Sequence, residues 1–331
     1  MSTITEATRS EDPMGQLVDG KWSSQWYDTS KTGGRFKRDQ AGFRNWVTAD
    51  GSPGPSGEGG FPAESGRYHL YVSYACPWAH RTLIFRALKG LEPHIGVSVV
   101  DAKMPDETGW TFDGETSTGD AVNGKARLWE IYTLARPDYT GRVTVPVLWD
   151  TKRQTIVSNE SAEIIRMLNS AFNDITGNDE DYYPEPLRER IDAVNARVYD
   201  DINNGVYKAG FATTQEAYDE AVTALFKALD WAEGLLGETA YLAGDVVTEA
   251  DWRLFTTLLR FDAVYHGHFK CNLRRLADYP NLSHYLTGLY HWPGIRETVH
   301  MDHIRTHYYW SHKTINPHQI VPVGPVPEFL R

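Results

Sequence analysis

Residues 68–100 read as strand, helix and strand with very little chain between them, and that order leaves few folds open. The run Tyr68-His-Leu-Tyr-Val-Ser73 carries the aromatic and β-branched residues of a half-buried strand. From Pro77 to Lys89, Leu83, Ile84, Ala87 and Leu88 recur at helical spacing, and Gly90 supplies a stop. Ile95–Val100 is a second short apolar strand. A helix linking two strands across so short a return makes a βαβ unit, so the two strands pair in parallel.

A long insertion follows, from Asp101 to Arg142, with loop chemistry around Gly109–Gly124. Val143–Trp149 then reads as a strand carrying Pro146, and Thr155–Val157 pairs with it as a hairpin across Asp150–Gln154. Ser158–Phe172 is an amphipathic helix with Ile164, Ile165, Leu168 and Phe172 on one face. The order βαβ, insertion, ββα is the thioredoxin-like pattern. Beyond Pro186 the strands cease, and helices are expected at 186–204, 214–236, 248–265 and 281–290. Thr248 and Asp251 spell a capping box, with Val247 and Trp252 as its hydrophobic staple. The expected fold class is therefore α/β plus all-α, a thioredoxin-like N-terminal domain and then an all-helical one. The expected divisions are an irregular extension at 1–65, the thioredoxin-like domain at 66–175 (insertion 101–142), a helical domain at 184–300, and a proline-rich C-terminal extension at 301–331 that wraps the surface.

The chemistry concentrates at Cys76, which stands between a strand end and a helix start with Pro77 at the first helical position. There it faces unpaired backbone N–H groups and the positive end of the helix dipole, which favour thiolate over thiol and can bring a cysteine from about 8.5 to roughly 3.5–7.5. Three residues on stands Ala79 rather than a second cysteine. A mixed disulfide at Cys76 has no neighbouring thiol to resolve it, so a separate small thiol is the expected cosubstrate. Pro146 fits an edge or a cis turn; in thioredoxin-like folds a cis-proline before this hairpin presents the preceding backbone, here that of Val145, to the cysteinyl part of a thiol peptide. Ser158-Asn-Glu160-Ser161 opens a helix that can hold a carboxylate, with Glu160 available to an ammonium group. Cys271 reads as a small buried hydrophobe.

Other classes are disfavoured. The formal net charge of −11, without a basic patch, argues against nucleic acid. No stretch approaches the roughly 20 apolar residues of a membrane span, and Met1–Asp12 lacks the apolar core of a signal peptide. With two cysteines only, a reducing, cytoplasmic location is expected. His303 and His307 share a helical spacing, but no carboxylate or cysteine completes a metal site beside them, and neither a metal nor a permanently bound cofactor is expected.

These motifs together resemble the glutathionyl-hydroquinone reductases, the Xi class of glutathione transferases, over roughly residues 20–320. The resemblance rests on Tyr74-Ala-Cys-Pro-Trp-Ala-His-Arg81, Gly109-Trp-Thr-Phe112, Arg142-Val-Thr-Val-Pro-Val-Leu-Trp149, Ile156-Val-Ser-Asn-Glu-Ser161, Asn203–Phe211 and Phe269-Lys-Cys-Asn272. The omega class also uses a cysteine, but the insertion and the tyrosine-bearing motifs are similar to Xi. The resemblance implies a glutathione-transferase-type helical domain and reduction of glutathionyl-hydroquinones through a Cys76–glutathione disulfide that a second glutathione resolves. It also implies that Trp110, Arg142, Val145, Pro146, Glu160 and Ser161 bind the thiol, while Tyr207, Tyr265 and Tyr308 line the aromatic-acceptor site, with Tyr309 an alternative to Tyr308. A homodimer joined through the helical domains is implied too. Mycothiol or γ-glutamylcysteine could replace glutathione. Thioltransferase or dehydroascorbate reductase activity and a noncatalytic binding module are the competing readings.

Overall fold

A computed structural model describes residues 15–25 and 27–330. The first fourteen residues, on which the reading of the N-terminus depends, lie outside it. The extension is less irregular than the sequence suggested. β1 (Gln16–Val18) and β2 (Lys21–Ser23) form an antiparallel hairpin, joined by Asp19 and Gly20 at φ 48° and 72°. Two consecutive left-handed residues make the turn that suits a two-residue hairpin, and Asp-Gly was its legible signal. Three-residue strands are too short to show an alternation.

The central sheet is as expected in order and direction. β3 (Tyr68–Val72) runs into α1 (Pro77–Leu88), which returns to β4 (Ile95–Val99), and β3 and β4 pair in parallel over their full length. Inside the insertion lies an unexpected helix, α2 (Leu128–Ala135), and then β5 (Gly141–Arg142), which pairs with β1 and so ties the extension to the insertion's end. β6 (Val147–Asp150) and β7 (Thr155–Ser158) complete a sheet of order β4-β3-β6-β7, in which the last two pairings are antiparallel. The strand expected from Val143 begins only at Val147, after Pro146, because a proline contributes no ladder N–H.

α3 (Ser161–Ser170) starts three residues later than the periodicity indicated. Ser158 belongs to β7, its hydroxyl accepts from the Glu160 N–H at 3.1 Å, and the Glu160 carboxylate caps the helix by accepting from the Ala162 N–H at 3.0 Å. A single turn, α4 (Asn173–Thr176), leads to the helical half: α5 (Arg188–Arg197), α6 (Gly205–Gly210), α7 (Gln215–Leu236), α8 (Glu249–Arg260), α9 (Pro280–Tyr290) and α10 (Met301–Ser311). The expected helix at 186–204 is broken by a wide turn at Val198–Asn203, and the one at 248–265 passes into another at Phe261–Tyr265. The expectation that everything after Met301 wraps the surface is corrected by α10. All four prolines of that stretch follow Lys313, so nothing interrupts a helix before it, and α10 carries Tyr308 into the core at 2 % exposure.

One continuous apolar core runs through both halves. Their seam is closed chiefly by α1 against α8. Every residue of α8 is buried, which is why this helix can bring polar groups to the back of the cysteine. No helix among the described residues is long and apolar enough to cross a membrane.

Candidate active site

Cys76 sits in extended backbone (φ −74°, ψ 121°) as the residue before α1, with Pro77 first in the helix. Its N–H donates to Ser73 O at 3.1 Å, and its sulfur lies 3.6 Å from the carbonyl oxygen of Val145, the residue before the cis proline. Sequence reasoning placed a cysteine at a helix start. The fold adds that the cis-proline loop faces it directly.

Two clefts meet there. The first, about 570 Å³, is lined by Arg38, Asp39, Arg142, Val145, Pro146, Glu160 and Ser161 among others. Its polar groups are both anionic and cationic, as a zwitterionic peptide would require. The second, about 510 Å³, is lined by Cys76, Trp110, Tyr207, Phe211, His307, Tyr308 and His312 together with Arg38 and Trp78, and is largely aromatic. Arg38, Trp78, Thr144 and Val145 belong to both clefts; the thiol lines the second, and its sulfur lies 3.6 Å from the oxygen of the shared Val145.

Of the expected thiol-binding residues, Arg142, Val145, Pro146, Glu160 and Ser161 come together in the first cleft. Trp110 does not line it. It lies in the second cleft, stacked on His307 at 4.6 Å and 22°. Arg142 donates to Gln25 O at 2.6 Å and to the Asp39 carboxylate at 3.3 Å, and it lies 4.0 Å over the Tyr27 ring, so the N-terminal extension forms one wall.

The three expected acceptor-site tyrosines converge from three helical segments. Tyr308 is their hub, with its hydroxyl 2.6 Å from that of Tyr207 and 3.0 Å from that of Tyr265. Tyr207 and Tyr308 line the cleft, whereas Tyr265 supports Tyr308 from behind. Tyr309 turns away, with its ring against His268 at 4.7 Å and its hydroxyl 3.5 Å from Ala263 O. Burial pushes all three phenols of the cluster above their ordinary range, so at neutral pH they are protonated and can donate.

Two arginines escaped sequence reasoning. Arg38 lies between the rings of Trp78 (4.8 Å) and Tyr207 (5.0 Å), and its Nε donates to Asn204 Oδ1 at 3.0 Å. The arginine- and aromatic-rich run Phe36–Trp46 was its only signal. Arg260, at the end of α8, reaches the loop before Cys76 across nearly two hundred residues of sequence, a distance no local motif reports.

The resting state of the sulfur is a correction. The helix-start argument expected a depressed thiol, but burial is the larger influence and raises it above the ordinary value. The N–H groups of Ala79 and Trp78 and the charges of Arg260 and Arg38 oppose that effect without overcoming it. The residue keeps part of its surface open to the cleft while the sulfur itself sits deep. An acid whose protonated form is favoured reacts faster as pH rises. Carbamidomethylation of Cys76 in the free protein is accordingly expected to climb about tenfold per pH unit from pH 7 to 8.5. A plateau below pH 7 in the alkylation rate would show instead that the helix terminus prevails. Cys271 is fully buried beside the carbonyls of Val206 and Phe269, and burial raises its thiol strongly, so it should not compete for the reagent.

Among the described residues no three His, Cys, Asp or Glu side chains gather as a metal site. His307 bonds with Ala102 O (3.2 Å), while His303 lies against Tyr74.

Comparison with known proteins accords with this geometry. Residues 75–171 match the model of the glutathione S-transferase N-terminal domain, and residues 215–288 that of the C-terminal domain. The chain is 60% identical over 314 residues to glutathionyl-hydroquinone reductase YqjG of Escherichia coli K12, covering 94% of this chain and 95% of that protein. It is 55% identical over 313 residues to glutathionyl-hydroquinone reductase PcpF of Sphingobium chlorophenolicum, covering 94% and 96%. The glutathione-bound structure of YqjG superposes with a TM-score of 0.87 at 56% identity, over 95% of this chain and 97% of that one.

Proposed function

The chain belongs to the glutathionyl-hydroquinone reductases, the Xi class of glutathione transferases, and from this we propose that it reduces glutathionyl-hydroquinones to hydroquinones through Cys76. The observation that carries the assignment of roles is the position of the sulfur, in the aromatic cleft and 3.6 Å from the oxygen of Val145, a residue that also lines the polar cleft. The glutathionyl half of the substrate occupies the first cleft. There the Val145 backbone pairs with its cysteinyl part, Glu160 takes the γ-glutamyl ammonium, and the N–H groups and hydroxyl at Ser161 take the adjoining carboxylate. Arg142 serves the far carboxylate. The aromatic ring lies in the second cleft under Trp110 and beside the tyrosine cluster.

The Cys76 thiolate attacks the substrate sulfur. An S–S bond forms, the bond from sulfur to the ring carbon breaks, and the ring carbon keeps the bonding pair and takes up a proton. The hydroquinone leaves, and Cys76 is joined to glutathione. A second glutathione thiolate attacks that disulfide, releases oxidised glutathione and returns the Cys76 thiolate. The sum is conjugate plus glutathione giving hydroquinone plus oxidised glutathione. Since Ala79 stands where a resolving cysteine would be, the second thiol has to come from solution. The protonated phenols of Tyr207 and Tyr308 donate to the hydroquinone oxygens, where charge accumulates as the ring departs. Cytoplasmic location and a homodimer joined through the helical domains rest on family membership alone.

The test is product release from a glutathionyl-hydroquinone with glutathione, γ-glutamylcysteine and mycothiol assayed in parallel. Hydroquinone and oxidised glutathione in equal amounts are expected with glutathione; no release with any of the three thiols would defeat the reading. Tyr308→Phe removes the hub of the cluster without emptying the cleft, so kcat should fall about 10- to 100-fold with the KM for glutathione nearly unchanged.

A further inference from the structure

Arg260 is completely buried, and its guanidinium is spent on the chain that leads into the nucleophile. Nε donates to Ala75 O at 2.8 Å and Nη2 to Tyr74 O at 3.1 Å, while Nη1 donates to Thr256 O at 2.7 Å within its own helix. Nη1 also lies 3.3 Å from His80 Nδ1. An arginine has no acceptor, so Nδ1 must accept, and the imidazole proton sits on Nε2 and points at Thr298 Oγ1, 2.8 Å away. The Thr298 hydroxyl passes the bond on to Ile295 O at 2.6 Å. Burial and the nearby guanidinium keep His80 neutral.

Every hydrogen-bond partner of this cation is therefore uncharged, and among the described residues none of its bonds is to a carboxylate. A dry guanidinium with only neutral partners is costly, and an anion forming nearby offsets that cost. The anion that the reaction forms is the one at Cys76. The charged and titratable groups around this sulfur include Arg38 from the extension, Arg81 from α1, Arg260 from α8 and Tyr207 from α6, and His307 and Tyr308 of α10 with His312 just after it line the same cleft. Glu160 at the start of α3 acts on Arg81. Of the arginines, Arg260 grips the two carbonyls immediately before Cys76, and its charge also reaches Tyr265 and Tyr308.

We propose that Arg260 is a positioning residue for the reaction. It fixes the Tyr74–Ala75 carbonyls that set the place of Cys76, and it supplies the buried positive charge that the anionic sulfur and the hydrogen-bonding tyrosines require. This rests on Cys76 being the nucleophile. It gives α8, a helix that contributes no wall to either cleft, a part in the chemistry.

Arg260→Gln keeps a polar side chain and removes the charge; Arg260→Lys keeps the charge and loses the fork. In folded Arg260→Gln, verified by circular dichroism and melting, the pH profile of Cys76 alkylation should move up by about one unit, making the rate at pH 8 about tenfold lower. Single-turnover release of hydroquinone should fall about 10- to 100-fold, while the KM for glutathione stays within about twofold. Arg260→Lys should lie between Arg260→Gln and the unmodified protein in the pH profile. An unmoved profile in folded Arg260→Gln overturns the proposal, as does failure of both variants to fold, which would assign Arg260 to folding. Cys76→Ala, run alongside, separates the two readings. If it retains turnover, the assignment of the nucleophile has failed; if it is inert while Arg260→Gln is unaffected, only the role of Arg260 has.

Discussion

Cys76→Ala is expected to lower hydroquinone release by about 10⁴-fold or more, because it deletes the only atom in the two clefts that can form a disulfide with the substrate sulfur. Substrate should still bind, since the first cleft is built from Arg142, Val145, Glu160 and Ser161 and loses none of them. Equilibrium binding of glutathione within a few-fold of the unmodified protein, with turnover gone, is the expected pair of results. Mass spectrometry adds a direct reading. The unmodified protein incubated with substrate and no free thiol should acquire one glutathione on the Cys76 peptide and none on the Cys271 peptide. Turnover surviving in Cys76→Ala would remove the sulfur from the mechanism altogether.

The largest stability effect is expected far from both clefts, at Asp251. Its carboxylate is fully buried at the start of α8 and accepts four hydrogen bonds. Leu242 N (2.9 Å) and Tyr285 OH (2.8 Å) donate to one oxygen, Thr248 N (2.8 Å) and Thr248 Oγ1 (3.0 Å) to the other. These bonds close the capping box that the sequence spells and also join α8 to the loop before it and to α9. Asp251→Ala strands four donors where water does not reach, and each unsatisfied buried group costs about 1–3 kcal/mol. Partial relaxation brings the expected loss to about 3–5 kcal/mol, with a melting temperature lower by roughly 4–7 °C. Asp251→Asn keeps the shape and one good acceptor and should lose about half as much. Because α8 carries Arg260 to the cysteine loop, Asp251→Ala should also slow alkylation of Cys76 below the temperature at which it melts. A melting temperature within a degree or two of the unmodified protein would contradict this account.

What the chain's order of residues made legible was whatever local chemistry decides. A run of aromatic and β-branched residues forms β3, and Pro77 after Cys76 starts α1 where the proline's missing N–H costs nothing. Thr248 and Asp251 start α8 by bonding across one turn, and Ala79 rules out a resolving thiol, both within a few residues of sequence. The sequence was silent or misleading where contacts are long-range. β5 gains its ladder from β1, more than a hundred residues earlier, α2 is a short helix inside a loop-rich stretch, and the prolines after Lys313 hid α10.

The clearest case is Cys76 itself. Its place at a helix start, and so its exposure to the N–H groups of Trp78 and Ala79, follows from the sequence, because a helix terminus is a local object. Its burial does not. Burial is decided by the extension, the cis-proline loop and the helical domain closing around it, and in a water-poor site desolvation of the charged sulfur outweighs the local N–H groups. The guanidinium that leans the other way comes from α8, and the tyrosines come from three segments that meet only in the fold. The sequence by itself placed Cys76 at a helix start with Ala79, not a second thiol, three residues on. Tertiary structure decided what faces that sulfur and how readily it ionises, because electrostatic energy depends on distance and surroundings in space, not on separation along the chain.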